Sequence, residues 1–211
     1  MIYEFRTYTF GPGQAPKYLN LVRDVGKPIR GDNFGRNHGY WSAEFGPLNQ
    51  VWHLWSFASL DERTRLRAEL GKQERWVKEF IPGVRPLLQR QDIRLLNPVI
   101  EPRAPATEGN IYEFRIYRTK IGMAKAWTEV FCEHLPAREQ YSKIVGLFYT
   151  EAPQPNEVMH IWAYKDLNAR AEARAASMKD PKWQEFLGKS GPMLEEMQSI
   201  ALLPAPFSPL K

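Results

Sequence analysis

Seven residues at the start of the chain return almost unchanged in its second half. Residues 2–8 read IYEFRTY and residues 111–117 read IYEFRIY, so six of the seven positions are identical. Later matches lie 107 residues apart and pair Asn49 with Asn156, Val51 with Val158, His53 with His160, Trp55 with Trp162 and Trp76 with Trp183. Self-similarity at a nearly fixed spacing indicates two tandem copies of one structural unit.

The boundary between the copies is marked by proline. Residues 97–109 contain three prolines, a composition typical of an extended linker. We therefore predict four segments: a first unit over 1–98, a linker over 99–109, a second unit over 110–204, and an extended or disordered tail over 205–211.

Each copy shows the periodicities of alternating strands and helices. The predicted elements of the first copy are a strand Ile2–Phe10, a helix 14–29, strands 39–45 and Gln50–Phe57, a helix opening at Leu60 with Asp61 as N-cap, and a strand 89–96. The strand Gln50–Phe57 is apolar at nearly every position, which indicates that both of its faces are covered. The order β-α-β-β-α-β predicts an α+β fold of two ferredoxin-like units.

Charge and hydropathy narrow the function classes. The net charge is +5, but Lys and Arg are interleaved with Asp and Glu, as on solvated helix faces, so no nucleic-acid binding is predicted. No apolar run is long enough to cross a bilayer and residues 1–6 do not resemble a leader, so we expect no integral membrane segment and a cytoplasmic location. Cys132 is the single cysteine, and CxxC and HExxH motifs are absent, so no metal site is predicted.

Three stretches carry a family resemblance. Residues 39–55 read GYWSAEFGPLNQVWHLW, residues 95–98 read LLNP and residues 180–183 read DPKW. These motifs resemble the NIPSNAP family, and the likeness covers nearly the whole chain. The resemblance implies a dimeric α/β-barrel in which two ferredoxin-like units of one chain pack sheet to sheet around a shared interior.

Two matched pairs are the catalytic candidates. His53 and His160 occupy the same point of an apolar strand in each copy, and a two-fold arrangement could bring both towards one cavity. Each could instead be a core histidine with its ring nitrogens hydrogen-bonded to neighbours. Glu44 and Glu151 could act as acid or base, or could be exposed carboxylates at a sheet edge.

The first strand of each copy carries a row of polar residues. Arg6 and Tyr8, with their copies Arg115 and Tyr117, alternate along the strand, follow a glutamate and therefore share one face. They could position an anionic or polar ligand, or they could form ion pairs that fix the strand register.

Aromatic residues and one further histidine complete the candidate site. Trp41, Trp55 and Trp162 could line a pocket for an apolar ligand or could belong to the core. His134 continues the apolar stripe of a helix in the second copy, and the wider superfamily resembled here includes haem proteins with a helical histidine ligand. No cofactor is expected, with haem at His134 as the minor alternative.

Three functions remain open at this point. The first is the binding or transformation of a small, fairly apolar molecule in or beside the barrel. The second is a non-catalytic scaffold for protein interactions, and the third, by analogy of fold, is a cofactor-independent or haem-dependent oxygenase. The sequence leaves open whether the chain is an enzyme, and we expect a homodimer.

Overall fold

A closed barrel of eight antiparallel strands forms the centre of the computed structural model, which describes residues 1–107 and 110–211. The first unit supplies β1 (Ile2–Phe10), β2 (Arg36–Phe45), β3 (Gln50–Phe57) and β4 (Leu88–Ile100). The second unit supplies β5 (Ile111–Thr119), β6 (Ile144–Ala152), β7 (Glu157–Tyr164) and β8 (Leu194–Pro204).

The two units meet along the edges of their sheets. The strand order around the barrel is β1-β3-β2-β8-β5-β7-β6-β4. The seams are the pairs β2 with β8 and β4 with β6, so the edge strands of each unit are covered by the other unit. The prediction of two similar α/β units around a shared interior is therefore confirmed, with the addition that the sheets are joined at both edges.

Helices cover the outer face of the barrel. In the first unit they are α1 (Ala15–Leu21), a π-helical turn (Val22–Gly26), α2 (Lys27–Arg30), α3 (Leu60–Leu70), a second π-helical turn (Trp76–Phe80) and α4 (Ile81–Val84). In the second unit they are α5 (Ala124–Arg138), α6 (Leu167–Ser177) and α7 (Pro181–Ser190). Because strand side chains alternate between faces, each strand has one row inside the barrel and one row beneath the helices.

Large side chains from both units fill the barrel interior. The rings of Phe5 and Phe114 stack at 5.5 Å between centroids, and Trp41 packs against Phe114 at 5.1 Å. Trp52 and Phe148 are also buried in this cluster. The interior is thus a packed core, and the cavities described below lie outside the barrel wall.

Several predicted boundaries differ from the structure, among them the start of β2, which lies at Arg36 and not at residue 39. The helix that Leu60 opens is capped by Ser59, whose hydroxyl accepts a hydrogen bond from the backbone N–H of Glu62, and not by Asp61. Serine fits an N-cap because its oxygen satisfies a free N–H of the first turn. The strand predicted over 89–96 extends to Ile100, since its last residues pair with β6 of the second unit.

The last residues of the chain run along β2 of the first unit. The backbone N–H of Ala205 donates to the carbonyl oxygen of Tyr40, and that of Leu210 donates to the carbonyl oxygen of His38. Ser208 is buried and its hydroxyl accepts from the backbone N–H of Tyr40 at 3.0 Å. The tail therefore ties the end of the second unit to the first.

Candidate functional site

A cavity of about 670 Å³ lies between the outer face of the first unit's sheet and its helices. We call it the first cavity. Its volume is in the range of pockets that hold small organic molecules. Side chains from the strands, the helices and the second π-helical turn line it, among them Arg6, Tyr8, Tyr18, Arg30, Tyr40, His53, Arg67, Trp76, Phe80, Ile81, Val84, Arg85, Leu88 and Arg90.

The polar row of β1 forms part of the cavity wall. Arg6 donates to the carboxylate of Glu4 through Nε and to the hydroxyl of Tyr8 through Nη1, the latter at 2.6 Å. Glu4 is fully buried and also accepts a hydrogen bond from Arg63 of α3. Glu4, Arg6 and Tyr8 share one face of β1, as their alternation predicts, and the carboxylate of Glu4 neutralises Arg6.

His53 of β3 is held in one tautomer by its neighbour. The indole Nε1–H of Trp55 donates to His53 Nδ1 at 2.7 Å, and because an indole nitrogen only donates, Nδ1 must accept. The proton of the neutral ring is therefore on Nε2, which is buried and has no hydrogen-bond partner within the described part of the chain. Burial, followed by the charges of Arg6 and Arg30, holds the pKa of His53 well below its usual value.

Arg30, at the end of α2, is a buried cation without a carboxylate partner among residues 1–107 and 110–211. Its guanidinium carbon lies 3.3 Å from the ring centroid of Trp55, and Nη2 donates to the carbonyl oxygen of Phe34 at 3.0 Å. Its Nε has no partner in the same ranges. Burial lowers the pKa of Arg30 to about 10, so the group remains charged at neutral pH.

The polar wall of the first cavity is rich in hydrogen-bond donors. Tyr40 stacks on His53 with ring centroids 4.8 Å apart, and its hydroxyl group lies near the charges of Arg30 and Arg6. Burial raises the pKa of Tyr40 and of Tyr18 well above the usual value, so both phenols keep their protons. Of the residues that the structure describes, arginines line this cavity, whereas no aspartate or glutamate does.

The second unit repeats the arrangement around a smaller cavity of about 170 Å³, which we call the second cavity. There the indole of Trp162 donates to His160 Nδ1 at 2.7 Å, and His160 Nε2 is again buried without a partner in the described ranges. Arg138 lies over the Trp162 ring at 4.6 Å, as Arg30 lies over Trp55. Burial and then the charge of Arg115 lower the pKa of His160 well below its usual value.

The expectation that both histidines face one cavity is wrong. His53 lines the first cavity and His160 lines the second cavity. On β3 and β7 both histidines lie on the outer face, and the packed interior of the barrel separates the two sets of residues. The structure therefore contains two related sites, one per unit.

The remaining candidates are divided between these sites and other places. Arg115, Tyr117 and Trp162 line the second cavity, and Arg115 donates to the hydroxyl of Tyr117. Trp55 packs beneath the first unit's helices, but Trp41 is part of the barrel core, because its strand position points inward. Glu44 and Glu151 are exposed, and Glu151 accepts from the side chain of Asn97 at 2.8 Å.

His134 is engaged within its own helix layer. Its Nδ1 lies 2.9 Å from the carbonyl oxygen of Val130, and its Nε2 lies 3.8 Å from the carboxylate of Glu185. A histidine that ligates haem iron needs a free ring nitrogen facing an open space. The second cavity is lined by His160 and not by His134, so the surroundings of His134 do not fit a haem group.

Sequence reasoning missed the arginine that stacks on the tryptophan in each unit. Pro28 and Arg30 recur as Pro136 and Arg138 at an offset of 108 residues, whereas the preceding helical residues match at an offset of 109. The π-helical turn Val22–Gly26 accommodates this one extra residue, because a π turn holds one more residue than an α turn. The repeated Pro-x-Arg pattern was the signal that could have revealed both arginines.

The chemistry of both sites is that of an acceptor-binding wall. A general base needs a free lone pair, but each histidine uses Nδ1 to accept and carries its proton on Nε2. Protonated phenols, guanidinium groups and imidazole N–H groups all donate. Such an arrangement can donate hydrogen bonds to a negatively charged or strongly accepting group.

These features define a class: a single-chain α/β barrel of two repeated units, each with a donor-lined cavity between sheet and helices. A NIPSNAP family model matches residues 3–100 and 112–209, which are the two repeats. The chain belongs to the NIPSNAP family, as two tandem copies of its domain. It is 30% identical over 226 residues to protein NipSnap homolog 3A of Homo sapiens, covering 100% of this chain and 86% of that protein.

Solved structures of low sequence identity share the fold. A crystal structure from Lactobacillus acidophilus, 13% identical, covers 96% of this chain and 93% of its own with a TM-score of 0.69. A structure described as an anthrone oxidase-like protein, 10% identical, covers 100% of this chain and 94% of its own with a TM-score of 0.67. Among the described residues, no helix is both long and apolar enough to cross a membrane.

Proposed function

We propose that this NIPSNAP protein binds a small anionic molecule with an apolar body in the first cavity. The observation that carries the proposal is the buried guanidinium of Arg30, which has no carboxylate partner in the described part of the chain and lines the same cavity as His53 with its unpartnered Nε2–H. The carboxylate group is the simplest ligand chemistry that would satisfy both donors.

The energetic argument concerns the cost of burying a charge. Removing a cation from water without a partner costs roughly several kcal/mol of hydration free energy. A bound ligand or a neighbouring group can offset this cost. Arg6 is compensated by Glu4, but within residues 1–107 and 110–211 the partners of Arg30 are a tryptophan ring and one carbonyl oxygen. A bound carboxylate would provide the missing charge through charge-assisted hydrogen bonds.

The apolar body of the ligand is inferred from the apolar side chains that line the first cavity. Trp76 and Phe80 stack at 4.2 Å between ring centroids, and Ile81, Val84 and Leu88 continue this surface. Apolar and aromatic side chains around a few convergent polar groups are typical of small-molecule sites. This wall supports the ligand hypothesis over the scaffold hypothesis, which predicts a closed and fully packed pocket.

The test compares 4-phenylbutyrate with its neutral counterpart 4-phenylbutanol by isothermal titration calorimetry. The wild-type protein should bind the acid and bind the alcohol far more weakly. Arg30→Met should weaken binding of the acid by about tenfold or more, because a hydrogen bond to a charged group contributes roughly 1.5–3 kcal/mol.

The matched control is Arg23→Met, since Arg23 is exposed in the same helical region and pairs with Asp24. This variant should bind 4-phenylbutyrate as the wild type does. Equal affinity of the wild type for the acid and the alcohol, or equal affinity of both variants for the acid, would contradict the proposal.

Several finer points are part of this proposal. The strand order β4-β1-β3-β2 in the first unit and β8-β5-β7-β6 in the second supports a ferredoxin-like description of each unit. Homodimer formation and a cytoplasmic location stay predictions. An oxygenase reaction has no support beyond likeness of fold, because the histidines are placed as donors and not as bases.

A further inference from the structure

The second cavity repeats the buried His–Trp pair and the Arg–Tyr row of the first cavity but differs from it in size. His160 is 4% exposed, and its Nε2, like that of His53, is buried without a partner in the described ranges. At positions 109 residues apart, Trp127 replaces Tyr18 and Phe131 replaces Val22. These larger rings lie 5.7 and 5.3 Å from the His160 ring and occupy part of the space that is open in the first unit.

Aromatic rings form most of the second cavity's apolar wall. Trp183 and Phe186 stack at 4.3 Å between centroids, and Phe131 meets Phe186 edge to face at 5.5 Å. Side chains of this kind favour a flat aromatic guest in edge-to-face contact. The volume of about 170 Å³ is close to that of an apolar cavity of about 150 Å³ that accommodates benzene.

Among the described residues, two arginines of the second cavity have no carboxylate partner, and one of them, Arg138, instead donates to Ser142 and Tyr164. Arg115 is paired with Glu113 at 2.7 Å, and Arg170 donates to the same carboxylate. Arg174 of α6 lines the cavity and is half-buried, and its side chain forms neither an ion pair nor a hydrogen bond with the rest of the described chain. Burial and then the charge of Arg115 lower the pKa of Arg174, as expected for a cation without a counter-ion.

We propose that the second cavity is an independent binding site for a small aromatic carboxylate of about the size of benzoate. The ring lies among Phe131, Trp183 and Phe186, and the carboxylate accepts from His160 Nε2–H and from Arg174. This site uses the same chemistry as the first cavity but selects a smaller molecule, so each unit has its own ligand.

The experiment is calorimetric titration with benzoate and with benzyl alcohol as the neutral counterpart. The wild type should bind benzoate and bind the alcohol at least tenfold more weakly. Arg174→Met should lower benzoate affinity by about tenfold, while Arg174→Lys should retain part of it because the charge is kept. Circular dichroism of each variant checks that the fold is intact.

The controls separate the two sites. Arg118→Met removes an exposed arginine of the same unit that pairs with Glu196, and it should leave benzoate binding unchanged. Arg30→Met should weaken 4-phenylbutyrate binding and leave the Arg174-dependent binding of benzoate in place. The proposal is overturned if the folded wild type does not bind benzoate, if benzyl alcohol binds equally well, or if benzoate binding is lost in Arg30→Met and retained in Arg174→Met.

Discussion

A single hydrogen bond determines what each buried histidine can do. The indole N–H of Trp55 or Trp162 occupies Nδ1, so the imidazole presents a proton at Nε2 and stays neutral. In both cases burial is the main reason for the low pKa. The pairing of His and Trp two residues apart on one strand face is visible in the sequence, but the direction of the hydrogen bond is not.

This residue-scale arrangement predicts that acid destabilises the protein. Below about pH 6.5 the unfolded chain protonates its histidines, while folded His53 and His160 remain neutral, so the free energy of unfolding falls as the pH falls. At pH 5.5 each of the two should contribute a loss of about 1.4 kcal/mol relative to pH 7.5. His38, whose pKa burial lowers to about 4, contributes in the same direction. Urea denaturation at pH 7.5, 6.5 and 5.5 measures the loss, and His160→Phe should remove about one third of it. A flat profile over this range would contradict the assignment.

At the scale of elements, one extra residue in the first helical region of the first unit brings Arg30 to the position that Arg138 has in the second unit. The π-helical turn Val22–Gly26 interrupts the first helix of the first unit, whereas α5 of the second unit is a continuous helix. Apolar spacing predicted a helix over this region, but spacing alone cannot distinguish a π turn from an α turn. Gly26 is required there because a β-carbon would lie 2.6 Å from the ring of Phe80, which lines the first cavity.

Gly26→Ala should therefore disturb both packing and binding. The added methyl group forces Phe80 to move, at an expected cost of roughly 1–3 kcal/mol in the free energy of unfolding. Gly188→Ala is the matched control, because Gly188 lies within α7 and a β-carbon there meets nothing within 4 Å. The control should be stabilising by up to about 1 kcal/mol through helix propensity. Urea denaturation of both variants makes the comparison, and equal effects would contradict the packing argument.

At the scale of the molecule, duplication explains both what was predicted and what was not. The repeat of residues 2–8 indicated two units, and the apolar strand Gln50–Phe57 indicated a sheet covered on both sides. Closure of the barrel through the β2–β8 and β4–β6 seams depends on edge pairing between distant segments, which no local pattern reports. For the same reason the sequence matched His53 with His160 but could not show that the barrel wall keeps them in separate cavities.

The central claim is that the first cavity binds a carboxylate through donors that include His53. The most direct measurement is a long-range ¹H–¹⁵N NMR spectrum of the histidine rings at pH 7, recorded before and after addition of 4-phenylbutyrate. We predict that both His53 and His160 show the neutral Nε2–H tautomer, and that the Nε2 proton of His53 shifts downfield on addition of the ligand while that of His160 does not. A charged or Nδ1–H ring at His53, or an unchanged His53 signal under saturating ligand, would contradict the account.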